Sequence, residues 1–173
     1  MVEIAFYHHS TTKIEQTLPV LLERTLARGW RAVVQFTQMD MLQKYDEALW
    51  AYRAESFLPH GGSQDSDVQS LPIYLTITDD NPNQADIRFF LQCAEVFPLM
   101  AGDSTPKTRA ALMFDGADDT ELSSARAQWK MLKDAGFELV YYQQSEGGKW
   151  HEKFREPKKK GLNVRRPGES LKK

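Results

Sequence analysis

Hydrophobic and polar positions alternate with a period of two over residues 2–7, which predicts a strand at the start of the chain. The period then lengthens. Ile14, Leu18, Leu21, Leu22 and Leu26 follow helical spacing, Thr12 and Glu15 stand at capping-box spacing before them, and Gly29 ends the run, so a first helix is predicted. Pro19 falls inside that pattern and either kinks the helix or lies in its first turn. Residues 31–36 read as a second strand. Residues 39–52 read as a second helix, with Leu42, Tyr45, Leu49 and Tyr52 on one stripe. Residues 53–71 are polar and glycine-rich, hence loop. Short apolar strands follow at 71–76 and 86–91, separated by the turn sequence Asp80-Asn81-Pro82-Asn83. Residues 94–100 are irregular or strand-like, and 102–106 form a surface loop. Residues 111–114 are a strand. A third helix covers 118–135, capped by Asp118 with Glu121 and stopped by Gly136, and 137–143 is the last strand. Strands alternating with helices predict an α/β fold: a single three-layer domain with a mostly parallel central sheet.

At 173 residues the chain is long enough for one domain with a substantial core. Its single cysteine, Cys93, follows Phe89-Phe90-Leu91-Gln92, which excludes a disulfide framework, favours a reducing compartment, and reads as a small buried hydrophobe. No apolar run approaches a membrane span, and the first residues lack the basic region of a signal peptide, so a cytoplasmic location is expected. The net charge of −2 conceals an asymmetry. From Lys149 onward there are ten Lys/Arg against three Asp/Glu, which leaves twelve against twenty-one before it. An acidic body of about −9 argues against broad duplex-DNA binding, which needs a basic face. The tail, about +7, lacks periodicity at Pro157-Lys158-Lys159-Lys160-Gly161 and Val164-Arg165-Arg166-Pro167-Gly168. The expected division is a folded domain over 1–150 and a basic, disordered tail over 151–173.

The chain carries no signature of catalysis. There is no Gly-x-x-x-x-Gly-Lys-Ser/Thr and no Gly-x-Gly-x-x-Gly, so the α/β fold is expected to carry no phosphate loop. The stretch from Gly102 to Thr108 has the composition but not the spacing, and Pro106 removes one N–H donor from any phosphate nest. His8 and His9 are adjacent on a strand and point to opposite faces, and no His-x-x-x-His or Cys/His pairing exists. His60, before Gly61-Gly62, reads as a turn hydrogen bonder. Asp79-Asp80 and Asp118-Asp119 sit at turns and a helix start, where capping explains them. Catalytic residues, metal ligands and cofactors are therefore expected to be none.

Two surfaces remain. On the second helix Trp50 lies well off the apolar stripe. From geometry alone it is either a protein interface or a side chain covered by the following loop. Phe57 lies close to it in sequence. On the third helix Arg126, Lys130 and Lys133 form one row. Trp129 stands between that row and the stripe of Leu122, Ala125 and Leu132. The product is an apolar notch edged by cations, suited to a peptide that presents an aromatic side chain together with carboxylates.

The ordered set Phe6-Tyr7-His8, Leu18-Pro19-Val20-Leu21-Leu22-Glu23, Asp46-Glu47-Ala48-Leu49-Trp50, Glu55-Ser56-Phe57-Leu58-Pro59-His60-Gly61, Asn81-Pro82-Asn83-Gln84-Ala85-Asp86, Phe114-Asp115-Gly116 and Arg126-Ala127-Gln128-Trp129-Lys130 resembles the chi subunit of bacterial DNA polymerase III from about residue 4 to about residue 150. The resemblance implies nucleotide-binding-like topology without a phosphate loop, and a non-catalytic accessory subunit of the clamp-loader assembly. It implies capture of the acidic C-terminal tail of single-stranded DNA-binding protein, which ends in Pro-Phe, by Arg126, Trp129 and Lys130, with Lys133 in the same row. It implies docking of the psi subunit on Trp50 and Phe57, as a monomer or a heterodimer with psi, with DNA touched only indirectly or weakly. Some members carry a further basic residue one turn earlier, where this chain has Leu122. Two other readings remain: a hydrolase or nucleotide-dependent enzyme of the same fold, and a single-stranded nucleic-acid binder acting through the basic tail.

Overall fold

The computed structural model describes residues 2–52 and 58–160. Its elements run β1 (Glu3–His9), α1 (Ile14–Ala27), β2 (Ala32–Gln35), α2 (Met39–Trp50), β3 (His60–Gly61), β4 (Ile73–Thr76), β5 (Ile87–Phe90), β6 (Arg109–Asp115), α3 (Asp119–Asp134), β7 (Leu139–Gln144) and β8 (Trp150–Glu156). All strands join one sheet in the order β3-β4-β2-β5-β6-β1-β7-β8. Every pairing is parallel except β7 with β8, which is antiparallel. This is the α/β architecture that the alternation of patterns predicts.

Parallel strands covered on both faces must be apolar on both. Along β1, Ala5 and Tyr7 join the core under α1 and α2, while Ile4 and Phe6 join the core under α3. β6 repeats the division with Ala111 and Met113 against Ala110, Leu112 and Phe114. The helices thus form two outer layers. α3 is fastened by Gln128, whose amide oxygen accepts from the Val96 N–H at 3.0 Å and whose amide nitrogen donates to the Ala94 carbonyl at 3.2 Å. Its start is capped by Asp118, which accepts from the N–H groups of Thr120 and Glu121, and it stops at Gly136 with φ +84°.

Two local readings change, and two that the sequence left open are settled. The first helix is capped at Lys13, whose N–H donates to the Gln16 amide oxygen at 3.2 Å. Thr12 instead belongs to a loop gathered by Gln144, whose Oε1 accepts from the N–H groups of Ser10, Thr11 and Thr12. Pro19 lies inside α1 and is buried. Residues 97–99 form a 3-10 turn, the irregular alternative of the two, and the loop predicted over 53–71 contains β3 and a 3-10 turn at 68–70.

The sheet also continues past the predicted last strand. Residues 150–156, assigned from sequence to the end of the domain and the start of a disordered tail, form β8. Its sequence, Trp-His-Glu-Lys-Phe-Arg-Glu, hides the strand because an edge strand with charged positions shows little apolar alternation. Residues 161–173 lie outside the described residues.

Arg88 is the least expected core residue. It sits on β5 with 0% exposure. Its Nε donates to the Gln35 amide oxygen at 3.0 Å, Nη1 to the Asp80 carbonyl at 2.7 Å and Nη2 to the Thr78 carbonyl at 2.9 Å. Burial draws its pKa down to about 10, opposed by the charges of Asp80 and Asp79, so the guanidinium stays protonated at neutral pH. Burial also works against the Asp80 carboxylate. Hydrogen bonds from Thr76, Thr78 and Tyr74 outweigh it and hold that carboxyl below its ordinary value. The turn after β4 is thereby locked to the sheet. Arg88→Met removes every donor at once and leaves buried carbonyls unpaired, so urea unfolding is expected to show a loss of about 3 kcal/mol. A variant as stable as the parent would contradict this role.

Candidate functional site

The third-helix notch is built from the sheet outward. Phe6 and His8 of β1, Phe114 of β6, Tyr141 of β7 and Phe154 of β8 stand on the sheet face beneath α3. Phe114 lies 5.0 Å from His8 and 6.2 Å from Tyr141, and Tyr141 lies 5.0 Å from Phe154. Trp129 descends from α3 onto this strip. Its ring meets Phe6 edge-to-face at 5.0 Å, Tyr141 at 5.6 Å and Phe154 at 6.1 Å. Such perpendicular contacts are the favoured arrangement of aromatic pairs. Trp129 is half-buried: one edge in the core, the rest at the surface, as its position between the two stripes predicts.

The cations divide. Arg126 and Lys130 are exposed, and among the described residues neither makes an ion pair with a carboxylate. Lys133 differs: its Nζ lies 2.7 Å from Glu156 of β8. The row is therefore two open cations and one neutralised. Leu122 packs at the margin of the core beneath α3.

His8 and Tyr141 belong to this site, and the sequence did not single out their partnership. His8 Nδ1 and the Tyr141 hydroxyl are 2.7 Å apart. A Cβ on Gly116 would collide with the His8 ring, which explains the glycine of Phe114-Asp115-Gly116. Burial pushes the His8 pKa down and the Arg126 charge adds to the effect, while Asp115 opposes it. Arg126 is therefore close enough to the ring to be felt. Burial likewise raises the Tyr141 phenol, against the pull of Arg126. His9 points to the other face, as strand alternation requires. Its Nδ1–H donates to the carbonyls of Tyr7 and Phe114 and its Nε2 accepts from the Thr17 hydroxyl at 2.6 Å. Burial lowers its pKa too.

Around Trp50 the geometry is different. The indole keeps 57% of its surface exposed while resting 4.2 Å from the His60 ring. His60 is a turn hydrogen bonder, with ring nitrogens 2.6 Å from the Leu58 carbonyl and 3.1 Å from an Asp46 carboxylate oxygen. Met39 and Ile77 are also exposed, and a cavity of about 470 Å³ lies between α2, the start of the 60–65 loop and the end of β4. Phe57 lies outside the described residues, so its contact with Trp50 is not placed.

At the carboxyl ends of β5 and β6, where an α/β sheet ordinarily receives ligands, a cavity of about 250 Å³ is lined by Glu15, Asp115, Glu121 and Lys13. Burial raises the Glu121 pKa, and Asp118, Asp115 and Glu15 reinforce it. Such an acid-lined hollow repels phosphate. Among the described residues no group of three or more His, Cys, Asp or Glu could hold a metal ion, and no helix is long and apolar enough to cross a membrane. Cys93 is half-buried rather than fully interred, in a left-handed conformation (φ +63°), and burial pushes its thiol pKa up.

The folded pKa values of His8 and His9 lie below the ordinary value of 6.5. Stability from these rings is complete above that value and lost as pH falls through the folded midpoints. An NMR titration is expected to place both midpoints below about 6.5. Arg126→Ala should raise the His8 midpoint and leave that of His9 in place; an unmoved His8 would contradict the proximity of the two groups.

The chain matches the family described as "DNA polymerase III chi subunit, HolC" over residues 1–140. It is 24% identical over 100 residues to a protein of Rickettsia prowazekii (strain Madrid E) named "Probable DNA polymerase III subunit chi", a match covering 58% of this chain and 61% of that relative's length. With that match spanning well over half of its length, the chain belongs to the DNA polymerase III chi subunit family.

Proposed function

We propose that this chain is a non-catalytic accessory subunit of the bacterial replicative polymerase that bridges it to single-stranded DNA-binding protein by holding that protein's acidic C-terminal tail. The observation that carries the reading is the half-buried Trp129 flanked by two cations, Arg126 and Lys130, that have no carboxylate partner among the described residues. Arg126 and Lys130 attract the acidic residues and the chain-terminal carboxylate. The terminal phenyl ring lies against the open part of Trp129, a contact that the favoured geometry of aromatic pairs supports. Lys133, paired with Glu156, contributes less.

Charge-assisted hydrogen bonds contribute roughly 1.5–3 kcal/mol when shielded and less when exposed, so two exposed cations supply only part of the binding free energy, and the whole site with its Trp129 contact is expected to bind on the order of micromolar. Fluorescence polarisation with an acidic peptide ending in Pro-Phe tests it. Arg126→Ala should weaken binding about tenfold without unfolding the protein, and added salt should weaken it further. Unchanged titration curves would refute the site.

A second surface serves assembly. Trp50, with Met39 and Ile77 beside an open cavity, is proposed as the dock for psi, through which the chain joins the clamp loader as a heterodimer. Phe57 is assigned to the same dock from the resemblance alone. Trp50→Ala should abolish co-elution with psi and leave the acidic peptide bound. Normal stoichiometry with psi would count against the dock.

The nucleotide-dependent reading is opposed by the acid-lined hollow at the carboxyl ends of the strands. For direct DNA binding through the basic tail, the described residues offer the exposed Lys149, Lys153, Lys158, Lys159 and Lys160 but no aromatic platform among them beyond Trp150 and Phe154.

A further inference from the structure

The family match ends at residue 140, early in β7, and β8 lies beyond it. β8 is held firmly for an edge strand. It pairs along β7, Arg155 lies 2.9 Å from Glu3 and 3.3 Å from Glu138, and Glu156 meets Lys133 of α3.

Its register is irregular at one point. Trp150 stands opposite Gln144, and Glu152 opposite Tyr142, but Phe154 stands opposite Tyr141, so Lys153 is an extra residue. In a regular strand residues 150 and 154 share a face. Here they do not. Trp150 packs at 5.2 Å on Tyr7, on the face of α1 and α2, whereas Phe154 packs on Tyr141 and Trp129 beneath α3. A one-residue bulge is the device that re-aims a side chain in this way.

The consequence is a phenyl ring set on the margin of the notch. Phe154 touches two aromatic rings yet remains 55% exposed. A ring placed there to complete the core would be covered. One that leaves more than half of its surface open beside Trp129 offers a wall to an incoming apolar group.

We infer that β8 contributes to the notch: Phe154, turned toward α3 by the bulge at Lys153, forms the second wall of an aromatic slot whose first wall is Trp129, and it contacts the terminal aromatic residue of the captured peptide. The inference rests on the tail-capture reading above and adds to it a residue that determines specificity for the chain end. The same strand explains why Lys133 is the weaker cation, since β8 also delivers Glu156 to it.

The test compares the full chain with Phe154→Ala, each titrated with two acidic peptides identical except for a C-terminal Phe or Ala. An exposed edge-strand ring is dispensable for folding, and urea unfolding of the variant checks this. Loss of one aromatic contact should weaken the Phe-ended peptide about fivefold and change the Ala-ended peptide by less than about twofold. Phe154→Trp, which keeps a ring at the position, should retain the preference for the Phe-ended peptide. Equal loss for both peptides, or no loss, would overturn the slot while leaving tail capture intact. Tighter binding by Phe154→Ala would also overturn it, showing that Phe154 plugs the notch instead of lining it. A parent chain that binds neither peptide would overturn tail capture and the slot together.

Discussion

The edge-to-face contact between Trp129 and Phe6 decides how this molecule presents itself. Phe6 is fully buried in the central strand of one half of the sheet, and Trp129 is the side chain through which α3 reaches it. The contact fixes the rotation of the helix about its axis. With Trp129 turned to the sheet, Ala125, Gln128 and Leu132 go into the core and Arg126 and Lys130 come to the surface at its edge. A different rotation would bury a cation or expose the stripe. Packing and presentation are thus one constraint, and the same indole that closes the core borders the proposed peptide site.

Electrostatics extend the constraint. Arg126 stands near His8 and Tyr141, which hold each other at 2.7 Å and resist the charged forms that burial disfavours. The floor of the notch is therefore neutral and aromatic, and its charge is confined to the rim. That division suits a partner with an apolar end and an acidic body. Elsewhere the buried Arg88 shows the opposite solution: a charge taken fully into the core, with carbonyls and Gln35 supplying the partners that water would have supplied. Arg88 fixes a turn, whereas Arg126 is left available.

Much of this was legible in the sequence because it depends on local periodicity. The 3.6-residue stripe of α3 already put Trp129 between core and cations, and alternation already separated His8 from His9. What was not legible depends on contacts between residues distant in the chain. The partnership of His8 with Tyr141 spans the sheet and leaves no local mark. Arg88 lies in a short apolar strand where nothing nearby signals a buried guanidinium. β8 was misread because its alternation is broken by the extra Lys153 and masked by charges appropriate to an edge. Pairing with β7 and the ion pairs of Arg155 and Glu156 hold it, and these come from β1, α3 and the residue before β7.

The most direct test of the account is where an acidic peptide ending in phenylalanine lands. The chain has four tryptophans, Trp30, Trp50, Trp129 and Trp150, and each indole N–H gives its own NMR signal. Titrating the peptide while following those signals reports the site without any mutation. The account predicts that the Trp129 resonance moves with saturation and that the Trp50 resonance stays in place. Movement of Trp50 with Trp129 unchanged would contradict it.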